Sequence, residues 1–270
     1  MKGKIKPPYL HFNTAVVYCI YQSERNAATP CLSVVWIKIA KEYAMDRPIT
    51  TLFMLSSVDG KISTGATDNL DVDKDFPKIA GVREGLHQYY EIEQTTDLWS
   101  LNSGRVQAKI GANTKPMPEK IPVSFVLIDN AHLTERGVRY FCALSQKFVL
   151  VTTNPNHPAY TVKADNLSII FQEKLCLKSA LAILKTDFGC ERLTIQSGGT
   201  LNALFLKDKL FDYVDIVVAP VLVGGKDTST LIDGQSFTTE DELAGLGVLQ
   251  LINCTVLENS YLRLQYKVIG

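Results

Sequence analysis

Two glycine pairs stand where the chain could handle an anion. In "RLTIQSGGTLNALFL" (192–206) Gly198 and Gly199 separate an apolar, β-rich run from an apolar helical run, and in "VDIVVAPVLVGGKDT" (214–228) Gly224 and Gly225 follow a second such run. A strand that turns directly into a helix presents the first helical N–H groups at its tip, and residues without a Cβ let a phosphate approach them. Ser197 and Thr200 flank the first pair with hydroxyls that can touch a ligand or cap the helix. The same residues also make an ordinary capped turn, and the local sequence supports both readings.

Other constellations narrow the chemistry. "SSVDGKI" (56–62) holds an Asp59-Gly60 turn signal followed by Lys61, which reads either as a ligand contact or as a solvated turn lysine. Arg105 and Lys109 are four apart on an expected helix and share a face, suited to a phosphate or simply to solvent. "GATDNLDVDKDFPKIAG" (65–81) reads as a polar flap whose Asp73 and Asp75 could meet a ligand; it lacks the glycine and glutamate of a calcium loop. No G-x-G-x-x-G, G-x-x-x-x-G-K-[ST] or G-x-S-x-G occurs, which weighs against a standard Rossmann dehydrogenase, a P-loop nucleotidase and an α/β-hydrolase. The four histidines are separated and the six cysteines scattered, so no metal site and no disulfide framework is expected.

The elements that must position these residues alternate. "ITTLFMLSS", "TDLWSL", "VSFVLID", "KFVLVTT", "LSIIFQ", "RLTIQ" and "FDYVDIVVAP" read as strands. "REGLHQYYEIEQ", "LKSALAILKTDFG" and "TLNALFLKD" read as helices, the second closed by Gly189. "GVLQLINCTVLEN" and "YLRLQYKVIG" read as a terminal hairpin joined by "ENS". Strands alternating with helices predict a mostly parallel α/β sheet with an antiparallel edge.

The 270 residues, 46% of them hydrophobic, can bury a large core, and 28 basic against 28 acidic residues create no field that would gather nucleic acid or membrane lipid. Up to residue 44 the chain carries six Lys/Arg against two Asp/Glu, whereas the remainder carries 22 against 26. With that shift, and with "MDRPITTLFMLSS" reading as a natural start, residues 1–44 are expected to be a disordered extension or a mis-assigned start, and residues 45–270 the working domain. A soluble, cytoplasmic protein with idle thiols is expected.

In order and spacing, "SSVDGKI", "IQSGGTLNALFL" and "FDYVDIVVAPVLVGGKDT" resemble the pyrimidine reductases of riboflavin biosynthesis, within the dihydrofolate reductase-like superfamily, and the resemblance runs from Met45 to Gly270. It implies a three-layer α/β fold: a central mixed, mostly parallel sheet flanked by helices, a C-terminal antiparallel hairpin, and NADPH lying across the C-terminal strand ends. It also implies that Ser197, Gly198, Gly199, Thr200 and Leu201 contact the cofactor's phosphates, with Gly224 and Gly225 at the substrate and nicotinamide end. Ser57 would face the nicotinamide pocket and Lys61 would reach a ligand phosphate. Ser103 and Gly104 keep the turn and helix start of a cofactor contact, with Asn102 or Ser103 as cap, and Thr153 and Asn154 are candidates for the 2′-phosphate.

Two departures bear on the substrate. Gln196 stands where many relatives carry Glu, which keeps hydrogen bonding and removes a charge, and Lys109 stands where an acidic residue is expected, with no D-x-P-x-L-x-x-R after it. The resemblance implies an NADPH-dependent reduction of a phosphorylated (ribosylamino)pyrimidine by a homodimer. A reductase of the same superfamily acting on a pterin or xenobiotic, or a non-catalytic nucleotide-binding protein, are the alternatives. The zinc deaminase signature of bifunctional relatives is absent from the sequence.

Overall fold

A computed structural model describes residues 46–270; the expectations for residues 1–44 lie outside the described residues. The strands are β1 (Ile49–Ser57), β2 (Trp99–Ser103), β3 (Ser124–Ile128), β4 (Phe148–Thr152), β5 (Leu167–Phe171), β6 (Arg192–Ile195), β7 (Tyr213–Ala219), β8 (Leu249–Val256) and β9 (Leu262–Val268). The helices are α1 (Val72–Asp75), α2 (His87–Glu93), α3 (Gly104–Lys109), α4 (Glu135–Leu144), α5 (Leu177–Thr186) and α6 (Gly199–Lys207).

All nine strands form one sheet in the order β5-β4-β3-β2-β6-β1-β7-β9-β8. The first seven in that order run parallel, and β9 pairs antiparallel with β7 and β8. Parallel strands covered on both faces must be apolar on both, and β4, "FVLVT", is buried at every residue. Its alternate side chains enter different clusters: Val149 and Val151 pack with α5 and α6, whereas Phe148 and Leu150 pack with α4. β1 divides in the same way, Leu52 joining the α5–α6 side and Phe53 and Leu55 the side of α1 and α2. The expected three layers and terminal hairpin are therefore observed.

Two elements differ from the sequence reading. The acidic segment is not a free loop: Asp71 caps α1 by accepting from the Asp73 N–H, and fully buried Phe76, in the 3-10 turn that follows, pins it to the core. Helix α4 was not expected, because "ERGVRYFCAL" is outwardly charged; its inner stripe of Val138 and Phe141 packs on β3 and β4. Among the described residues no helix is long and apolar enough to cross a membrane, and Cys142, Cys176, Cys190 and Cys254 are free.

Candidate active site

The C-terminal ends of parallel strands are where an open α/β sheet leaves room for a ligand. Here the ends of β1, β2, β3 and β6 open into a cleft of about 580 Å³, whose walls come from the acidic segment, α2, α3 and the start of α6. Ser103, Arg105, Lys109, Gln196, Ser197, Gly198, Gly199, Thr200 and Leu201 all line it. The Gln196 N–H donates to the Leu101 carbonyl at 2.9 Å, which fixes the strand end from which the glycine turn departs.

At that turn the cap is Gly198, with φ −71° and ψ 157°, and no side chain caps the first turn of α6. Ser197 does not reach it, because its hydroxyl is bound to Asn202 Oδ1 while Asn202 Nδ2 donates to the Ser197 carbonyl. Helices usually fill this position with a hydroxyl or carboxylate; a bare start leaves its N–H groups available to an anion. The two glycines have different reasons. A Cβ on Gly199 would come within 2.4 Å of Asp233 Oδ2 and the Thr230 carbonyl, so Gly199 is required by the packed 230–233 segment. A Cβ on Gly198 would meet only Val106 Cγ2 at 3.6 Å, so no protein atom requires the space it leaves.

Facing walls of the cleft carry opposite charge. Lys109 pairs with Asp71 at 2.9 Å, with both side chains largely shielded, and Arg105 pairs with Asp68 at 3.2 Å at the exposed rim. An exposed pair contributes little and yields readily to a better anion, so Arg105 is the more available of the two cations. The Tyr90 hydroxyl donates to Asp73 Oδ1 at 2.9 Å on the same wall.

Across from them, α2 brings in a carboxyl that the sequence reading did not single out. Gln196 Nε2 donates to Glu93 Oε1, and the Ser100 hydroxyl donates to Gln196 Oε1 at 3.0 Å. Lost hydration raises the Glu93 carboxyl above the usual range, against the lowering pull of the Gln196 amide. Asp73 is also raised by lost hydration, although its side chain still meets solvent at the rim. The signal for Glu93 was its spacing, four residues after Tyr89 on the inward face of a helix.

Ser57, Lys61, Gly224 and Gly225 do not line the cleft; they bind one another. Asp59 accepts from the Ser57 hydroxyl and from the N–H groups of Val223 and Gly224, and these bonds hold its carboxyl down at about 2. Lys61 Nζ donates to the carbonyls of Gly225 and Thr228 at 2.8 and 2.9 Å. The two sequence blocks thus form a clasp in which Gly224 and Gly225 take φ of +71° and +82°. Asp59→Ala is expected to speed amide hydrogen exchange at Val223 and Gly224 by roughly tenfold, the loss of about one net hydrogen bond at each.

Thr153 and Asn154 lie at the same sheet edge beyond β4 and outside the cleft. The Thr153 N–H donates to Asn130 Oδ1, and Asn154 Nδ2 donates to the Asn130 carbonyl. Ser103 is the cap of α3, accepting from the Val106 N–H. Gly104 lies against Asp129, whose side chain a Cβ would meet at 2.3 Å. Asp129 was also unmarked in the sequence: it accepts from buried His157 Nε2 at 2.9 Å and from the Leu133 N–H at 2.8 Å. Its carboxyl is driven far below the usual range, the His157 hydrogen bond and the backbone donors outweighing burial.

The uncapped start of α6, with the unused space at Gly198, opens into the cleft at the strand ends, where its free N–H groups suit an anion. The chain is 28% identical over 211 residues to the 2,5-diamino-6-ribosylamino-4(3H)-pyrimidinone 5′-phosphate reductase of Methanothermobacter thermautotrophicus, covering 76% of this chain and 91% of that protein. A similarly described protein of Archaeoglobus fulgidus is 32% identical over 75 residues, 28% of this chain and 34% of that one.

Among solved structures, Acinetobacter baumannii RibD aligns with a TM-score of 0.58 at 15% identity, covering 84% of this chain and 60% of that one. The riboflavin biosynthesis reductase Rib7 of Saccharomyces cerevisiae aligns with a TM-score of 0.52 at 12% identity, covering 92% and 94%. At those identities the likeness is one of fold. Sequence membership is carried by the RibD C-terminal domain pattern, which matches residues 48–261, from the start of β1 to the turn between β8 and β9. This chain belongs to the RibD C-terminal domain family.

Proposed function

We propose that the protein reduces a phosphorylated (ribosylamino)pyrimidine to its ribitylamino product in riboflavin biosynthesis, with NADPH as reductant. The observation that carries this reading is the helix start at Gly198, bare of any side-chain cap and open to the cleft. The names of the curated relatives supply the substrate class.

The backbone N–H groups of Gly199 and Thr200 hold a cofactor phosphate, whereas that of Leu201 already donates to the Gly198 carbonyl at 3.0 Å, and the macrodipole of α6 favours the phosphate's charge. Arg105, released from Asp68, takes the substrate's phosphate, with Lys109 beside it as a point charge. Gln196 and Ser100 offer hydrogen bonds to the heterocycle at the cleft floor. A bound reduced nicotinamide supplies hydride to the carbon of a C=N bond; the chain supplies orientation and a water-poor floor. The test is spectrophotometric. Purified protein is expected to consume NADPH with 2,5-diamino-6-ribosylamino-4(3H)-pyrimidinone 5′-phosphate or its deaminated counterpart, and absence of turnover with both overturns the reading.

A homodimer is part of this proposal. Edge strand β8 is exposed along nearly its whole length, and Leu249, Leu251, Ile252 and Val256 are 42%, 54%, 58% and 78% exposed. Such an apolar edge recruits another chain, and a second copy is the partner at hand. Ile252→Glu is expected to shift the species in analytical ultracentrifugation from dimer to monomer, with unchanged helix content by circular dichroism.

A further inference from the structure

The reduction of a C=N bond needs a proton as well as a hydride, and none of the motif residues offers one: Asp59 is engaged by Ser57, Val223 and Gly224. We infer that Glu93 is the proton donor of this cleft, aimed by Gln196 and Ser100. This rests on the proposed reduction, and the geometry argues for it in three steps.

Glu93 lines the cleft from the last residue of α2, so its side chain reaches the floor where β2 and β6 end. It is held at one oxygen only. Ser100 Oγ bonds Gln196 Oε1, and Gln196 Nε2 donates to Glu93 Oε1, whereas Oε2 has no hydrogen-bond partner among the described residues. A carboxyl braced in that way carries its proton on the free oxygen. The groups that face it are Tyr89 and Tyr90 of its own helix, Asp73 of α1 and Gln196 of the β6 end. The tyrosines are themselves held neutral by burial, and the negative field of Asp73 favours the protonated form of its neighbour.

The step balances simply. The proton leaves Glu93 Oε2 for the imine nitrogen while the carbon of the same C=N bond takes the hydride that a reduced nicotinamide supplies. One N–H and one C–H bond form, the π bond is lost, and the carboxylate regains its proton from water.

Glu93→Gln tests the assignment, since it keeps shape and removes the proton. It is expected to lower kcat by about 100-fold or more, the usual worth of a positioned acid, while KM for the pyrimidine stays within about threefold. Wild-type kcat is expected to fall as pH rises through the Glu93 pKa, because the acid form is the active one, and this limb is expected to vanish in Glu93→Gln. Glu93→Asp is expected to recover part of the loss. Independently of turnover, ¹³C-carboxyl NMR of glutamate-labelled protein is expected to show the one signal missing in Glu93→Gln titrating above the other glutamates. An active enzyme whose Glu93→Gln variant keeps its kcat and pH limb overturns the assignment alone, as does a Glu93 signal that titrates with the rest. A wild-type protein inactive on both pyrimidines overturns the functional reading, and the titration still reports on the carboxyl.

Discussion

Gly198→Asp is expected to abolish NADPH binding while leaving the protein at least as stable as before. At φ −71° and ψ 157° the position accepts any L residue, and the new Cβ meets Val106 Cγ2 at an ordinary 3.6 Å. Asp is among the best helix caps and exceeds Gly by a few tenths of a kcal/mol, so the thermal midpoint is expected to hold or rise slightly. The same carboxylate occupies the phosphate's place with like charge, a juxtaposition that costs several kcal/mol, so Kd is expected to rise by about 100-fold or more. Calorimetric titration with NADPH and a melting curve check both halves. If Gly198→Asp binds NADPH as well as the wild type does, the phosphate does not sit at this helix start. Gly199→Ala behaves differently: the collision with Asp233 and Thr230 is expected to lower stability first.

Asp129→Ala is expected to produce the largest loss of stability, about 3–5 kcal/mol, because it leaves His157 Nε2 and the Leu133 N–H buried without their acceptor. The sign of its pH dependence follows from the direction of its shift. Its folded pKa lies below the unfolded value of about 3.9, so the contribution is fully present above that value and fades as pH falls through the folded pKa. Urea titrations at neutral pH and near pH 3 check this. Asp129→Asn is expected to lose less than Asp129→Ala and to be less sensitive to acid than the wild type. Equal stability of Asp129→Ala and wild type at neutral pH would show the cluster to be idle.

The strands were readable because a parallel sheet covered on both sides demands largely apolar, buried runs, as in "FVLVT". The phosphate turn was readable in part. Its glycines marked the place, but which one served packing and which one left open space depended on Asp233 and Thr230, thirty or so residues further on. The clasp between "SSVDGK" and "VLVGG" was not legible because each block looks functional alone: Lys61 reads as a ligand contact or as a turn lysine, and only the fold shows that the two blocks satisfy each other. Glu93 and Asp129 escaped because a lone Glu on a helix and a lone Asp after a strand are ordinary in sequence. Their partners, Gln196 and His157, lie 103 and 28 residues away.

The strand order carries a consequence for biosynthesis. β1, with Leu52, Phe53 and Leu55 buried, pairs only with β6 and β7, which begin at Arg192 and Tyr213. During translation it therefore emerges first among the described strands and waits for some 140 residues without a hydrogen-bonding neighbour, its apolar flanks in search of cover. Long-range pairing of this kind makes for slow closure and a vulnerable nascent chain. Because β6 is the strand wedged between β1 and β2, its arrival joins the two halves of the sheet and builds the cleft floor in one event. A chain released before residue 195 has neither.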